Sequence, residues 1–229
     1  MNPSEILCVI PARGGSKRMP RKNLIPVLGR PLIVHTVEQA LAAALVGRVV
    51  VSTDDSDIAE VTRATGAEVV ERPKEISNDE ASSEAALLHV LDTLESAQGY
   101  VPSLLVFLQC TAPVRSPSDI DEAIRTLLDE GADSLVSVVE KRLFLWTVKE
   151  GRPVPMTYRP EARQRTQDMA PLYLENGSIY VLKPQVVRET GSRLGGTIAM
   201  YCMPEASAVD IDSFDDLRLC EALMRGASR

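Results

Sequence analysis

An α/β fold, with a mainly parallel sheet flanked by helices, is the class that this 229-residue sequence predicts. Two observations predict it. Strand-like runs alternate with helix-like stretches of ten to fifteen residues through the first two-thirds of the chain, the spacing of βαβ units. Most of these runs are apolar throughout, as strands covered on both faces are. The length suits one large domain, or one domain with a sizeable appendage.

Residues 6–10 (ILCVI) read as the first strand, stopped by a proline. Residues 31–45 (PLIVHTVEQALAAAL) place apolar groups at helical spacing, with Pro31 acceptable in a first turn that has no use for its N–H. Residues 48–53 (RVVVST) form a second strand, and residues 54–65 a helix whose leading acids suit its N-terminal dipole. A third strand follows at 67–71, then a long helix over 82–96 with Ser82 or Ser83 near its start. Residues 104–109 (LLVFLQ) make the most apolar strand, predicted to be central. Residues 117–131 read as a helix ended by Gly131, and 133–139 (DSLVSVV) as another strand.

The pattern then breaks. Residues 140–175 hold four prolines, Arg159, Arg163, Arg165 and the only tryptophan, without a clean period. So long an irregular stretch is expected to be functional or an interface. Two alternating strands follow at 177–182 and 197–203, and the chain closes with a strand edge running into a helix over 209–224.

Composition narrows the function. The formal charge of −7 argues against nucleic-acid binding, which needs a broad basic face. No run approaches the ~18 apolar residues of a membrane span. The opening MNPSE followed by ILCVI lacks the form of a signal peptide, so a cytoplasmic protein is expected. Cys8, Cys110, Cys202 and Cys220 are too scattered for zinc or redox chemistry, and three of them are expected to be buried and inert. His35 and His89 fall within predicted helices and are expected to be structural.

Against that acidic background, residues 11–23 (PARGGSKRMPRKN) stand out. They hold Gly14 and Gly15 with five cations, Arg13, Lys17, Arg18, Arg21 and Lys22, and no acid. The segment follows the first strand, where open α/β sheets bind ligands. Neither GxGxxG nor GxxxxGK[ST] is present. What remains is a glycine-rich turn with free amides and cations able to hold a polyphosphate, set against the plainer reading of a solvated basic loop. A second constellation is VDIDSFDD at 209–216. In an extended segment Asp210 and Asp212 share a face, and a hard cation such as Mg²⁺ relieves their repulsion while using substrate phosphates as further ligands. Asp215 and Asp216 are expected to cap the last helix, since Ser213-x-x-Asp216 has the form of a capping box.

Six stretches in order, IPARGGSKRMPRKN, VVVSTDD, ERPKEISNDEASSE, FLQCTAPVR, ENGSIYV and VDIDSFDDL, resemble the CMP-nonulosonate synthetases, the acylneuraminate cytidylyltransferases, over nearly the whole chain. The resemblance implies a Rossmann-like nucleotidyltransferase fold of one domain over residues 1–229, with a dimerisation or acceptor-sugar segment at 140–175 and a homodimeric state. It implies that CTP and an acidic sugar give a CMP-sugar and pyrophosphate with Mg²⁺ on the phosphates. Lys22 and Arg13 would be catalytic, at the α-phosphate and at the β- and γ-phosphates. Gly14, Gly15, Ser16 and Asn23 would join them around the nucleotide. Arg72 and Ser83 match positions near the cytidine, although the sequence alone reads them equally as a strand-end charge and a helix cap. Gln109, Asn176 and Arg165 would face the sugar, and Asp210 and Asp212 would hold the metal. The arginine match is shifted, because RQRTQDMAPLY puts Thr166 directly before Gln167. The rival readings are a CMP-Kdo-type synthetase and, from a different class, a non-catalytic nucleotide-sugar binding domain.

Overall fold

The computed structural model describes residues 5–16 and 19–227. Lys17 and Arg18 of the basic segment lie outside the described residues, as do the first four and last two residues of the chain. The strands are β1 (Ile6–Pro11), β2 (Pro26–Val27), β3 (Arg30–Pro31), β4 (Arg48–Thr53), β5 (Glu68–Glu71) and β6 (Leu104–Leu108). They continue with β7 (Ser134–Lys141), β8 (Trp146–Lys149), β9 (Arg152–Pro155), β10 (Leu172–Leu182) and β11 (Ile198–Met203). The helices are α1 (Leu32–Ala42), α2 (Ser56–Ala64), α3 (Ser83–Gln98), α4 (Pro117–Asp129), α5 (Pro184–Thr190) and α6 (Phe214–Ala227).

One seven-stranded sheet runs in the order β11-β7-β10-β6-β1-β4-β5. β6 sits at its centre, as its apolar run predicts. Pairings β1–β4, β1–β6, β4–β5 and β7–β11 are parallel, while β10 runs antiparallel between β6 and β7. Alternate residues explain why the strands read as apolar throughout. Ile6, Cys8 and Ile10 of β1 enter one buried layer with α1 and α4, whereas Leu7 and Val9 enter the other with α3.

The helix starts follow the expected chemistry. Asp55 caps α2 by accepting from the Asp57 and Ile58 amides, and Ser82 caps α3 by accepting from the Ala85 amide. Ser116 and Asp119 form a reciprocal capping box at α4, which ends before the left-handed Gly131.

Three features differ from the sequence reading. The short helix α5 was not expected; it lies in the connection between β10 and β11. α1 stops at Ala42, three residues short of the predicted end, because the Asp121 carboxylate takes the amides of Ala44 and Leu45. The irregular stretch 140–175 contains the β8–β9 hairpin and the first residues of β10. Prolines 153 and 155 hide the hairpin, and a register break between Glu175 and Tyr180 splits β10 into two pairing segments.

Candidate active site

The basic segment is anchored before it can bind anything. Met19 is buried in the core, and Arg21 adopts a left-handed φ of 56° that places Lys22 at the head of a short 3-10 turn, Lys22–Leu24. Arg21 pairs with Asp57 of α2. Lys22 then reaches across the fold. Its Nζ donates to the Ile211 carbonyl at 2.9 Å and pairs with Asp212 Oδ1 at 3.0 Å, 190 residues away in sequence. The lysine side chain is only 15% exposed.

Asn23 Nδ2 donates to the Arg13 carbonyl at 3.0 Å, closing the loop on itself. Arg13 Nη1 bonds Asp79 Oδ1 at 2.8 Å. The glycines divide the work. Gly14 packs so closely on Asp55 that a Cβ would lie 2.5 Å from its carboxylate, and the Gly14 amide donates to Asp54 Oδ1 at 3.0 Å. Gly15 has open space around it and lines the cleft.

That cleft has a volume of about 200 Å³ and sits at the carboxyl ends of β1 and β6. Arg13, Gly15, Ser16, Lys22, Asn23, Arg72, Ser83 and Gln109 all line it, together with Phe107 and Cys110. Arg72 is buried at the end of β5, with Nη2 donating to the Ser52 carbonyl at 2.6 Å and Nε to Ser52 Oγ at 3.1 Å. Burial lowers its pKa, and the Asp54 charge opposes that shift. Ser82 takes the capping role, which leaves the Ser83 hydroxyl at the cleft. Burial pushes the Cys8 and Cys110 thiols up to about 12, so neither is a thiolate at neutral pH. Cys220 is also buried and Cys202 is exposed.

A second cavity of about 320 Å³ is lined by Glu175, Asn176, Gly177, Tyr180 and Asp210. It meets the first where Gln109 presses on Gly177. A Cβ at Gly177, whose φ is +66°, would lie 2.6 Å from Gln109 Oε1. Asn176 lines this cavity, but its amide is spent inside the fold. Oδ1 accepts from Ser137 Oγ at 2.6 Å, and Nδ2 donates to Ser207 Oγ at 3.0 Å.

The acidic segment forms no strand at 209–213, so the predicted strand edge before the last helix is absent. Ile211 is buried and its amide donates to the Thr111 carbonyl at 2.8 Å, while Asp210 lines the second cavity and Asp212 meets Lys22. Asp216 accepts from the Ser213 hydroxyl and amide, which lowers its pKa, and its own amide donates to Ser213 Oγ, so the two form the expected capping box. Asp215 pairs with Arg218 at 3.1 Å. No group of three or more metal-ligating side chains exists among the described residues. Asp212, held on Lys22 of the first cleft, and Asp210, on the second cavity, are the carboxylates that fit Mg²⁺, which takes one or two carboxylates and completes its shell with phosphate oxygens and water.

Arg165 stands apart from both cavities. Its side chain is 75% exposed and pairs with Asp168 at 2.7 Å, while Arg163 covers the Phe144 ring at 4.1 Å. His35 bonds the Val27 carbonyl at 2.8 Å in a structural role.

Sequence reasoning missed Asp79 and Arg115. Arg115 is buried, and its Nη1 donates to the carbonyls of Ala112 at 2.9 Å and Ser178 at 3.0 Å, tying the loop after β6 to the β10 bulge. The only signal was an arginine within a conspicuously apolar and proline-rich stretch.

A basic cleft at the carboxyl edge of a Rossmann-like sheet, with its lysine bonded to the Asp212 carboxylate and the Ile211 carbonyl, fits the class of the nucleotidyltransferases. The cytidylyltransferase family profile matches residues 7–202. Pseudaminic acid cytidylyltransferase of Campylobacter jejuni subsp. jejuni serotype O:23/36 (strain 81-176) is 32% identical over 96% of each chain. N-acylneuraminate cytidylyltransferase A of Danio rerio is 37% identical over 90% of this chain, which spans 48% of that protein. The fold also matches a CMP:2-keto-3-deoxy-manno-octonic acid synthetase complexed with CTP, with a TM-score of 0.70 at 22% identity over 97% of this chain and 99% of that one. This chain belongs to the cytidylyltransferase family, and its relatives there act on nonulosonates by name.

Proposed function

We propose that this chain transfers the cytidylyl group of CTP to the anomeric hydroxyl of an acidic nonulosonate sugar, releasing pyrophosphate. The relatives named for pseudaminic acid and for N-acylneuraminate support that acceptor class. The observation that carries the reading is the contact of Lys22 with Ile211 and Asp212. It joins the cationic loop to the acidic segment at one point, between a cleft suited to a nucleotide and a cavity suited to an acceptor.

In this mechanism the anomeric oxygen bonds to the α-phosphorus as the bond to the pyrophosphate oxygen breaks, and the hydroxyl proton is lost. Catalysis of such a transfer rests on positioning and charge stabilisation. Lys22 stabilises the charge growing on the α-phosphoryl oxygens. Arg13 and the amides of Gly15 and Ser16 hold the β- and γ-phosphates and then the leaving pyrophosphate. Asn23 fixes the loop through the Arg13 carbonyl, and Gly14 provides its tight approach to α2. Arg72 and Ser83 face the cytosine side. Gln109 stands between the cavities and orients the acceptor, with Asn176 holding the bulge that shapes its cavity. Asp210 and Asp212 would hold Mg²⁺, which when bound neutralises phosphate charge.

The arm at 140–175 supports a homodimer. Trp146, Val148 and Met156 are exposed on it, and Phe144 and Trp146 pack edge-on against Tyr158. Arg165 on that arm serves the acceptor carboxylate of the neighbouring subunit. Dependence on CTP supports a cytoplasmic location, and no described helix is long and apolar enough to cross a membrane.

Pyrophosphate release measured for the four nucleoside triphosphates against sialic, legionaminic, pseudaminic and Kdo-type acids tests the reading. Turnover is expected with CTP and at least one of the three nonulosonates. Turnover with GTP instead of CTP contradicts it, and turnover with Kdo alone moves the acceptor to an eight-carbon acid.

A further inference from the structure

The wall between the two cavities is a cross-strand pair. Phe107 of β6 and Tyr180 of β10 stand opposite each other in register, with ring centroids 5.2 Å apart and planes at 16°. Phe107 lines the nucleotide cleft and Tyr180 lines the second cavity. The Tyr180 hydroxyl donates to Glu175 Oε1 at 2.5 Å, so one ring also fixes a carboxylate of that cavity.

Arg193, from the segment joining α5 to β11, backs this wall. Its guanidinium carbon lies 4.8 Å from the Phe107 centroid and 4.9 Å from the Tyr180 centroid. Its Nε donates to Glu84 Oε1 at 2.6 Å, and the two side chains are only 21% and 13% exposed. Glu84 lies in the first turn of α3, directly after the cleft residue Ser83. A single planar cation therefore fastens the aromatic wall to the helix turn that carries a nucleotide contact. Arginine suits this place because its plane stacks on rings while its edge pairs with a carboxylate, and a lysine ammonium cannot do both. A cation so far removed from water also requires its acid, so the two parts are held as one unit.

We infer that Arg193 is a positioning residue for both substrates, setting the wall between the nucleotide and the acceptor and, through Glu84, the placement of Ser83. The inference rests on the reading of the two cavities given above. A purely structural role makes a different prediction, and the molecule supplies the comparison. Arg188 of α5 ties the far end of the same helix by pairing with Asp92 at 2.6 Å and Glu95 at 2.8 Å, well beyond the first turn.

The test compares Arg193→Met, Arg193→Lys, Glu84→Gln and Arg188→Gln in the full chain, by steady-state kinetics for CTP and the accepted sugar with the thermal midpoint of each variant. Arg193→Met is expected to raise both KM values about tenfold, the scale of a desolvated cation–π pair, with kcat within about threefold. Arg193→Lys is expected to recover thermal stability more than KM, and Glu84→Gln to raise the KM for CTP. Arg188→Gln is expected to lower the thermal midpoint and leave both KM values unchanged. If Arg193→Met does not fold, Arg193→Lys and Glu84→Gln decide the matter. KM values within twofold of wild type in Arg193→Lys and Glu84→Gln, with only the midpoint lowered, overturn the inference. A wild-type chain inactive with CTP and every acid removes the functional reading instead.

Discussion

Arg13 meets a carboxylate before it meets a phosphate. Under the proposed function the Asp79 contact at 2.8 Å yields when a triphosphate takes the guanidinium, since both are anions competing for one cation. Asp79→Asn is therefore expected to lower the KM for CTP roughly two- to fivefold, the range of a part-exposed ion pair. Kinetics at varied CTP measure this, and a raised KM shows that Asp79 instead holds Arg13 ready for the nucleotide. Lys22→Gln removes the charge nearest the proposed reaction centre and is expected to lower kcat about 10²- to 10³-fold, the cost of removing one donor from a preorganised anion site. At this scale the sequence was informative where charge and glycine concentrate. Arg13, Gly15, Ser16, Lys22 and Asn23 were named from one loop and do line one cleft. Asp79, Arg115 and Arg193 were not legible, because nothing local marks an arginine or an acid whose partner is chosen by tertiary packing.

α3 carries much of the consequence at the element scale. It presents Ser83 to the cleft, and its His89 lies beside Arg72 with Nδ1 buried and unpartnered. Burial first, and then the Arg72 charge, lowers the His89 pKa. The unfolded histidine, near 6.5, thus takes a proton before the folded one does. Stability falls as pH drops below that value toward the folded pKa. Wild type is expected to lose more of its thermal midpoint between pH 7.5 and 5.5 than His89→Gln, and equal losses refute the linkage. Most elements were legible from their period, and β4 matches its predicted run at both ends. The β8–β9 hairpin was not, because its strands have four residues each and the second contains two prolines. β10 was read from its apolar end only. Its outer part, 172–175, is largely exposed and pairs with β7 alone.

The whole molecule explains why an acidic chain carries a basic island. The parallel strands β1 and β6 deliver the loop and Gln109 to one edge, and the antiparallel β10 returns Gly177 against Gln109. The last segment then brings Asp212 back to Lys22, closing the proposed site from opposite ends of the sequence. Sequence alone placed both halves but not their contact, since sheet order is set by crossovers that no local pattern encodes. The proposed homodimer belongs to the same scale. Trp146→Lys combined with Val148→Lys puts two charges into the proposed interface and is expected to convert a sedimenting dimer into a monomer. A wild-type monomer at working concentration contradicts the interface. The most direct test of the account is pyrophosphate release by Asp212→Asn, with its thermal unfolding recorded on the same sample. A loss of about 10²-fold or more with a midpoint close to wild type is the predicted result. Near-normal turnover by that folded variant contradicts the claim that Lys22 and Asp212 close one active site.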